Sequence, residues 1–253
     1  MNSKKRRIVI IGATSAIAEQ CARIWAMEEA SEIVLVGRNI LKTDRVADDL
    51  RIRSIGTSVQ TETLNFVDPN EIHGIVDKIC AVSSVDIVLI AHGILSDQQL
   101  CQNNLRQNFD SLQVNGISPV LFAEAFAKHM EANNSGIIAV IGSVAGDRGR
   151  KSNYVYGASK GLIERYIQGL QHRLASTGVK VVLIKPGPTD TPMTAHLKKD
   201  GGKLALASVD TVAKLIVAGI AKRKNVIYAP GKWQLIMLVI KHLPSFIFNK
   251  MDI

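Results

Sequence analysis

The sequence predicts an α/β fold: a doubly wound, seven-stranded parallel sheet with helices on both faces. Three observations carry that expectation. Short runs that are apolar at every position alternate with segments of helical pattern, as in strands buried on both faces and joined by helical crossovers. The connections are long enough for right-handed crossovers, which wind such strands into an open sheet. A turn of small residues from Gly12 to Ala18 leads straight out of the first apolar run into a helical segment.

Taken in order, residues 8–11 form the first strand and 16–29 the first helix. Strand 33–36 precedes helix 41–53, strand 59–64 precedes helix 70–81, and 87–90 is the fourth strand. One long helical region is expected over 104–132. Strand 137–141, helix 155–175, strand 179–184, helix 209–221 and strand 226–228 complete the pattern. The chain has 253 residues and no Pro/Gly/Ser-rich linker, low-complexity tract or internal repeat, so it reads as one large domain with a tail from about residue 230.

The hydrophobic fraction of 47% is ordinary for a globular chain. There are 31 basic and 22 acidic residues, a net charge of +9, which favours anionic partners. The charge falls in clusters: Lys4, Lys5, Arg6 and Arg7; Arg148, Arg150 and Lys151; Lys198 and Lys199; Lys222, Arg223 and Lys224. A solvated basic surface explains them as well as a bound anion does. No nucleic-acid recognition motif accompanies the charge, so no specific nucleic acid is expected. Cys21, Cys80 and Cys101 lie far apart without ligand spacing, which predicts neither a disulfide framework nor a metal site. The apolar run at 8–11 is too short for a secretory leader, and a cytoplasmic protein is expected.

Ligands of such sheets bind beyond the carboxyl ends of the strands, and the motifs fall there. After strand one, Gly12, Thr14, Ser15, Ala16 and Ile17 can turn backbone N–H groups and a helix N-terminus toward a pyrophosphate. Ser15 is a candidate helix cap. A tight turn without a ligand is the alternative. After strand two, Arg38 stands where an acidic residue would take the adenosine ribose. A guanidinium there suits a 2′-phosphate, which marks NADP rather than NAD; a plain surface arginine is the alternative. After strand three, Asn65, Phe66 and Asp68 are placed to meet the adenine edge. Tyr156 and Lys160 lie four apart on one helix and share a face. A phenol has a pKa of about 10, and an ammonium beside it favours the phenolate, which suits Tyr156 to general acid–base work. Ser143 follows strand five and can hydrogen-bond a substrate oxygen. Asn115, in the long preceding helix, can hold a relaying water.

With these residues the chain resembles the short-chain dehydrogenase/reductase family over roughly residues 7–230. The match rests on Gly12, Arg38, Asn115, Ser143, Tyr156, Lys160 and the Pro186-Gly187-Pro188-Thr189-Asp190-Thr191 stretch. The resemblance implies a Rossmann-type sheet and an NAD(P)H-dependent carbonyl reductase or alcohol dehydrogenase. It implies that Ser143 and Tyr156 hold the carbonyl oxygen and that Lys160 also binds the nicotinamide ribose. Pro186, Gly187, Thr189 and Thr191 would then hold the nicotinamide end, and Ala91 and Gly93 would touch the cofactor. It implies homo-oligomers built through the long central helices. The chain departs from the family twice: Ala16 and Ala18 replace glycines of the first turn, and Ile90-Ala91-His92-Gly93 replaces Asn-Asn-Ala-Gly, with loss of two side chains that brace the sheet.

The tail from Trp233 to Phe248 is apolar, is interrupted by Pro244, and is flanked by Lys232, Lys241 and Lys250. It is too short to span a bilayer. It either packs over the pocket or a partner subunit, or it lies in a membrane interface with Trp233 as anchor. The tail and first turn together are similar to the decaprenylphosphoryl-2-keto-pentofuranose reductase branch, which implies a keto-sugar on a polyprenyl phosphate as substrate. A 3-oxoacyl-thioester or general ketone reductase, and a non-catalytic NADP(H)-sensing module, are the alternatives. Loops around 96–104 and 192–206 are the expected pocket walls.

Overall fold

The computed structural model describes residues 5–28, 31–195 and 205–251. Lys4, Lys198 and Lys199, and most of the second expected pocket wall, lie outside the described residues. Seven parallel strands run in the order β3-β2-β1-β4-β5-β6-β7: β1 (Arg6–Ile11), β2 (Ser31–Gly37), β3 (Ser58–Thr63), β4 (Ile87–Ile90), β5 (Gly136–Ile141), β6 (Val179–Pro186) and β7 (Val226–Ala229). The order reverses between β1 and β4, where Ile8 pairs with Ile87 and Ile11 with Ile90, and this opens the crevice at the switch point.

The alternation of side chains along each strand divides the apolar residues between two cores. Ile8, Ile10, Ile33, Leu35 and Leu89 pack with α1 (Ala16–Glu28) and α2 (Ile40–Arg53) on one face. Val9, Ile11, Val34, Val36, Val88 and Ile90 pack on the other with α3 (Pro69–Val82). Short polar side chains start the helices. Asn39 accepts from Lys42 N at 3.0 Å and caps α2, and Asp68 accepts from Asn70 N at 2.8 Å and caps α3, with Pro69 in its first turn.

The region 104–132 is helical from Leu105 to Ala132, as expected, with a π turn inside it. A short α4 (Gln98–Asn103) comes first, Asn104 then caps α5 (Leu105–Leu112), and a π turn over Gln113–Ile117 precedes α6 (Ser118–Ala132). In the π turn the Ser118 N–H reaches back five residues to Gln113 O. Pro119 has no N–H for the Asn115 carbonyl four residues earlier, which favours the looser turn at that point. Beyond these come α7 (Tyr154–Arg173) and α8 (Val209–Ala221), and in the tail α9 (Lys232–His242) and α10 (Ser245–Phe248). α6 and α7 join the α3 face, and α8 packs beside α1. Among the described residues no helix is long and apolar enough to cross a membrane.

Candidate active site

The turn after β1 is built so that only glycine fits its first position. Gly12 has φ +84°, and a Cβ on it would fall 2.6 Å from the backbone nitrogen of His92 on the neighbouring strand end. The N–H groups of Gly12 and Ala13 donate to Val36 O at 2.8 and 3.1 Å, tying the turn to β2. Ser15 O accepts the first helical bond, from Glu19 N at 2.8 Å. The first-turn N–H groups of α1 therefore face the crevice, together with Thr14, Ser15, Ala16 and Ile17. Ala18 lies in the core instead, so its methyl group stays out of the crevice.

The crevice continues to Arg38 and Lys42 at one end and past Phe66, Ala91 and Gly93 toward Thr191 at the other. Lys42, on the first turn of α2, is a second cation beside Arg38 that the motif reading missed. Asn65 is not part of this lining. It is exposed, its N–H donates to Glu71 and its Oδ1 accepts from Val67 N. Asp68 serves α3 as its cap. The crevice therefore offers a glycine-only backbone approach, a free helix N-terminus and two cations, which fit the pyrophosphate and adenosine phosphate of a nicotinamide dinucleotide.

Where the crevice passes under the sheet end it meets a cavity of about 170 Å³. Ser143, Tyr156, Lys160, Pro186, Gly187, Thr189 and Thr191 all line it. Ser143 Oγ accepts from Ala145 N at 3.1 Å, which leaves its own hydrogen for the Tyr156 phenol. Burial raises the Tyr156 pKa above the ordinary phenol value and the Ser143 hydrogen bond opposes that rise. The expectation that Lys160 lowers it is not met. The Lys160 Nζ stands 5.6 Å from the Tyr156 ring centroid and donates to Ile141 O at 3.1 Å. Burial brings the Lys160 ammonium itself down to about 8. Asn115 is fully buried in the π turn behind Gly93, outside the cavity lining. Its Oδ1 accepts from Ile94 N at 2.7 Å and its Nδ2 donates to Ser111 Oγ at 3.2 Å.

His92 takes over the bracing expected to be lost. Ser118 Oγ donates to Phe66 O, so its only hydrogen is used and it must accept from His92 Nε2–H, 2.8 Å away. This chain ties the end of β4 to the start of α6 and to the loop after β3. The imidazole sits against Phe66 and Phe122, 4.8 and 5.6 Å between centroids. Burial first, then Lys160 and Arg38, brings its pKa down to about 3, and it stays neutral.

With this geometry in place, the comparisons decide the lineage. The family model described as "short chain dehydrogenase" matches residues 6–202. The chain belongs to the short-chain dehydrogenase family. An uncharacterised oxidoreductase of Staphylococcus epidermidis is 30% identical over 88% of this chain and 94% of its own. Another, of Streptomyces coelicolor, is 26% identical over 97% and 96%. A solved short-chain dehydrogenase from Sphingobium yanoikuyae in complex with NADPH superposes with a TM-score of 0.80 at 21% identity, covering 98% and 96% of the two chains. This short-chain dehydrogenase is an NAD(P)-dependent oxidoreductase.

The tail is attached to the site. A methyl group on Gly187 would overlap the Trp233 indole. Arg148, five residues after Ser143, donates to Ile240 O at 2.7 Å at the carboxyl end of α9, and its guanidinium stacks 3.8 Å from the Phe248 ring centroid. Beside it Lys185 is buried between Asp147 and Glu164, 2.9 Å from the latter, and Lys241 of α9 stands 3.5 Å from Asp147. Burial alone would lower the Lys185 pKa, but hydrogen bonds to the two carboxylates hold it above the ordinary lysine value. A buried charge needs such partners. A lysine directly after the apolar run Val181–Ile184 of β6 is the sequence signal for this cluster.

Proposed function

We propose that this short-chain dehydrogenase reduces a carbonyl compound with NADPH, with Tyr156 as proton donor. The observation that carries the reading is the placement of Ser143, Tyr156 and Lys160 around one cavity, which shares Ser15, Ala91, Gly93 and Thr191 with the Gly12–Arg38 crevice. The reduced nicotinamide supplies the hydride. Ser143 and Tyr156 hold the carbonyl oxygen by donated hydrogen bonds, and the burial that keeps Tyr156 protonated makes it the donor as charge develops on that oxygen. Lys160 spends one of its three hydrogens on Ile141 O and offers the others to the cofactor ribose and to the proton path. Asn115 holds the Ile94 backbone and thereby the wall next to Lys160. Pro186, Gly187, Thr189 and Thr191 close the nicotinamide end.

Arg38 and Lys42 support NADPH over NADH, because a 2′-phosphate would meet two cations and a bare ribose none of their charge. Titration with each reduced cofactor, followed by its fluorescence, tests this. The expected result is at least ~10-fold tighter NADPH binding, the gain of one charge-assisted pair. Equal affinities would remove the phosphate-reading role of Arg38.

A lipid-linked substrate, such as a keto-sugar on a polyprenyl phosphate, is the finer reading. What supports it is the tail. Trp233 and Met237 face inward, whereas Leu235, Leu238, Val239 and Phe246 are 55–70% exposed beside Lys232, Lys241 and Lys250. An apolar face with basic flanks suits an anionic membrane surface. A second copy of the chain is the other partner in this reading, at the exposed Leu105 and Phe109 of α5 and Leu162 of α7.

A further inference from the structure

The loop between Ser143 and Tyr156 carries a charge that carbonyl reduction does not use. Arg150 lines the same cavity as Ser143 and Tyr156. It is half-buried, its Nε is shut off from solvent, and no described residue accepts a hydrogen bond from its guanidinium. The other charges nearby are engaged. Arg148 is spent on the carbonyls of the tail, and the acids Asp147 and Glu164 are held by Lys185 and Lys241. Burial lowers the Arg150 pKa, yet a guanidinium stays charged in proteins. A partly desolvated charge without a counter-ion is costly, and the planar fork of arginine matches a phosphate or carboxylate. Asn153, on the same cavity wall, has a buried Oδ1 without a partner, which suits a hydroxyl donor next to that anion.

Resting on the carbonyl-reductase reading above, we propose that Arg150 is an oxyanion subsite of the substrate cavity. The carbonyl compound carries a phosphate or carboxylate that pairs with Arg150 while its carbonyl lies at Ser143 and Tyr156. A cavity of about 170 Å³ places both groups on one compact head group, with any long apolar remainder outside.

The test is calorimetric titration of the full chain, with and without NADPH, using methyl phosphate, acetate and farnesyl phosphate as probes. Wild type is expected to bind at least one of these anions. In Arg150→Gln the dissociation constant should rise about 10- to 100-fold, the worth of a hydrogen-bonded charge. Arg150→Lys, which keeps the charge without the fork, should fall between the two. Arg106→Gln, on the exposed face of α5, should match wild type. Binding of methyl phosphate as tight as farnesyl phosphate identifies a free small anion, and binding of farnesyl phosphate alone identifies a lipid-borne one. No binding by wild type, or equal binding by wild type and Arg150→Gln, overturns the proposal. The titrations without NADPH read Arg150 directly, so a failure of the oxidoreductase reading, seen as failure to bind NADPH, is scored separately.

Discussion

Lys160 sets the pH range of the site. Its ammonium is buried, which brings its pKa down to about 8, while burial moves Tyr156 the other way, above the ordinary phenol value. Below about pH 8 Lys160 is charged and Tyr156 carries its proton, which is the combination that reduction needs. Above it Lys160 loses its charge first. A pH profile of kcat/KM for ketone reduction should therefore be flat up to about pH 8 and then fall, approaching tenfold per unit. The sign for stability is opposite. Between about pH 8 and the ordinary lysine value the unfolded chain holds more protons than the folded one, so this group's contribution grows as pH rises. His92, with its pKa brought down to about 3, adds no inflection between pH 5 and 8. A fall centred near pH 6.5 would contradict this assignment and point to a histidine. The proposed catalytic pair was legible because Tyr156 and Lys160 share a helix face. The direction of the Tyr156 shift was not, since burial and the Lys160–Ile141 contact arise only once β5 and α7 pack together.

At the level of elements, strands and helices were readable from apolar runs and periodicity, because each strand is covered on both faces. The helix over 104–132 was legible, but the π turn within it was hidden, and only Pro119, as a missing donor, marked it. The bracing by His92 was also invisible, because it depends on Ser118 and Phe66 far along the chain. The tail reads as apolar in sequence, but only packing separates its inner face, Trp233 and Met237, from its outer one. Wild-type protein should sediment with phosphatidylglycerol vesicles. Replacing Leu238 and Phe246 by serine should lower that partition by at least ~10-fold, since each buried apolar side chain contributes about 1.5–3 kcal/mol. Both lie on the exposed face, so the thermal melting curve should be unchanged. A wild type that stays in the supernatant would contradict the membrane-facing reading.

For the whole molecule, the sheet order brings together residues distant in the chain. The switch point places Gly12 against His92. β5 and β6 place Ser143 and Gly187 around one cavity, and α9 locks the loop after Ser143 through Arg148. The Gly12–Arg38 crevice and the Ser143–Tyr156 cavity are thus continuous, and the tail braces the cavity wall from behind at Gly187 and Arg148. The measurement that bears most directly on this account is single-turnover oxidation of bound NADPH by a ketone substrate, in wild type and in Tyr156→Phe. The account predicts unchanged NADPH affinity in the variant and a loss of at least ~100-fold in the reduction rate, the lower end of a general acid's contribution. Full turnover by Tyr156→Phe, with the same affinity for NADPH, would contradict it.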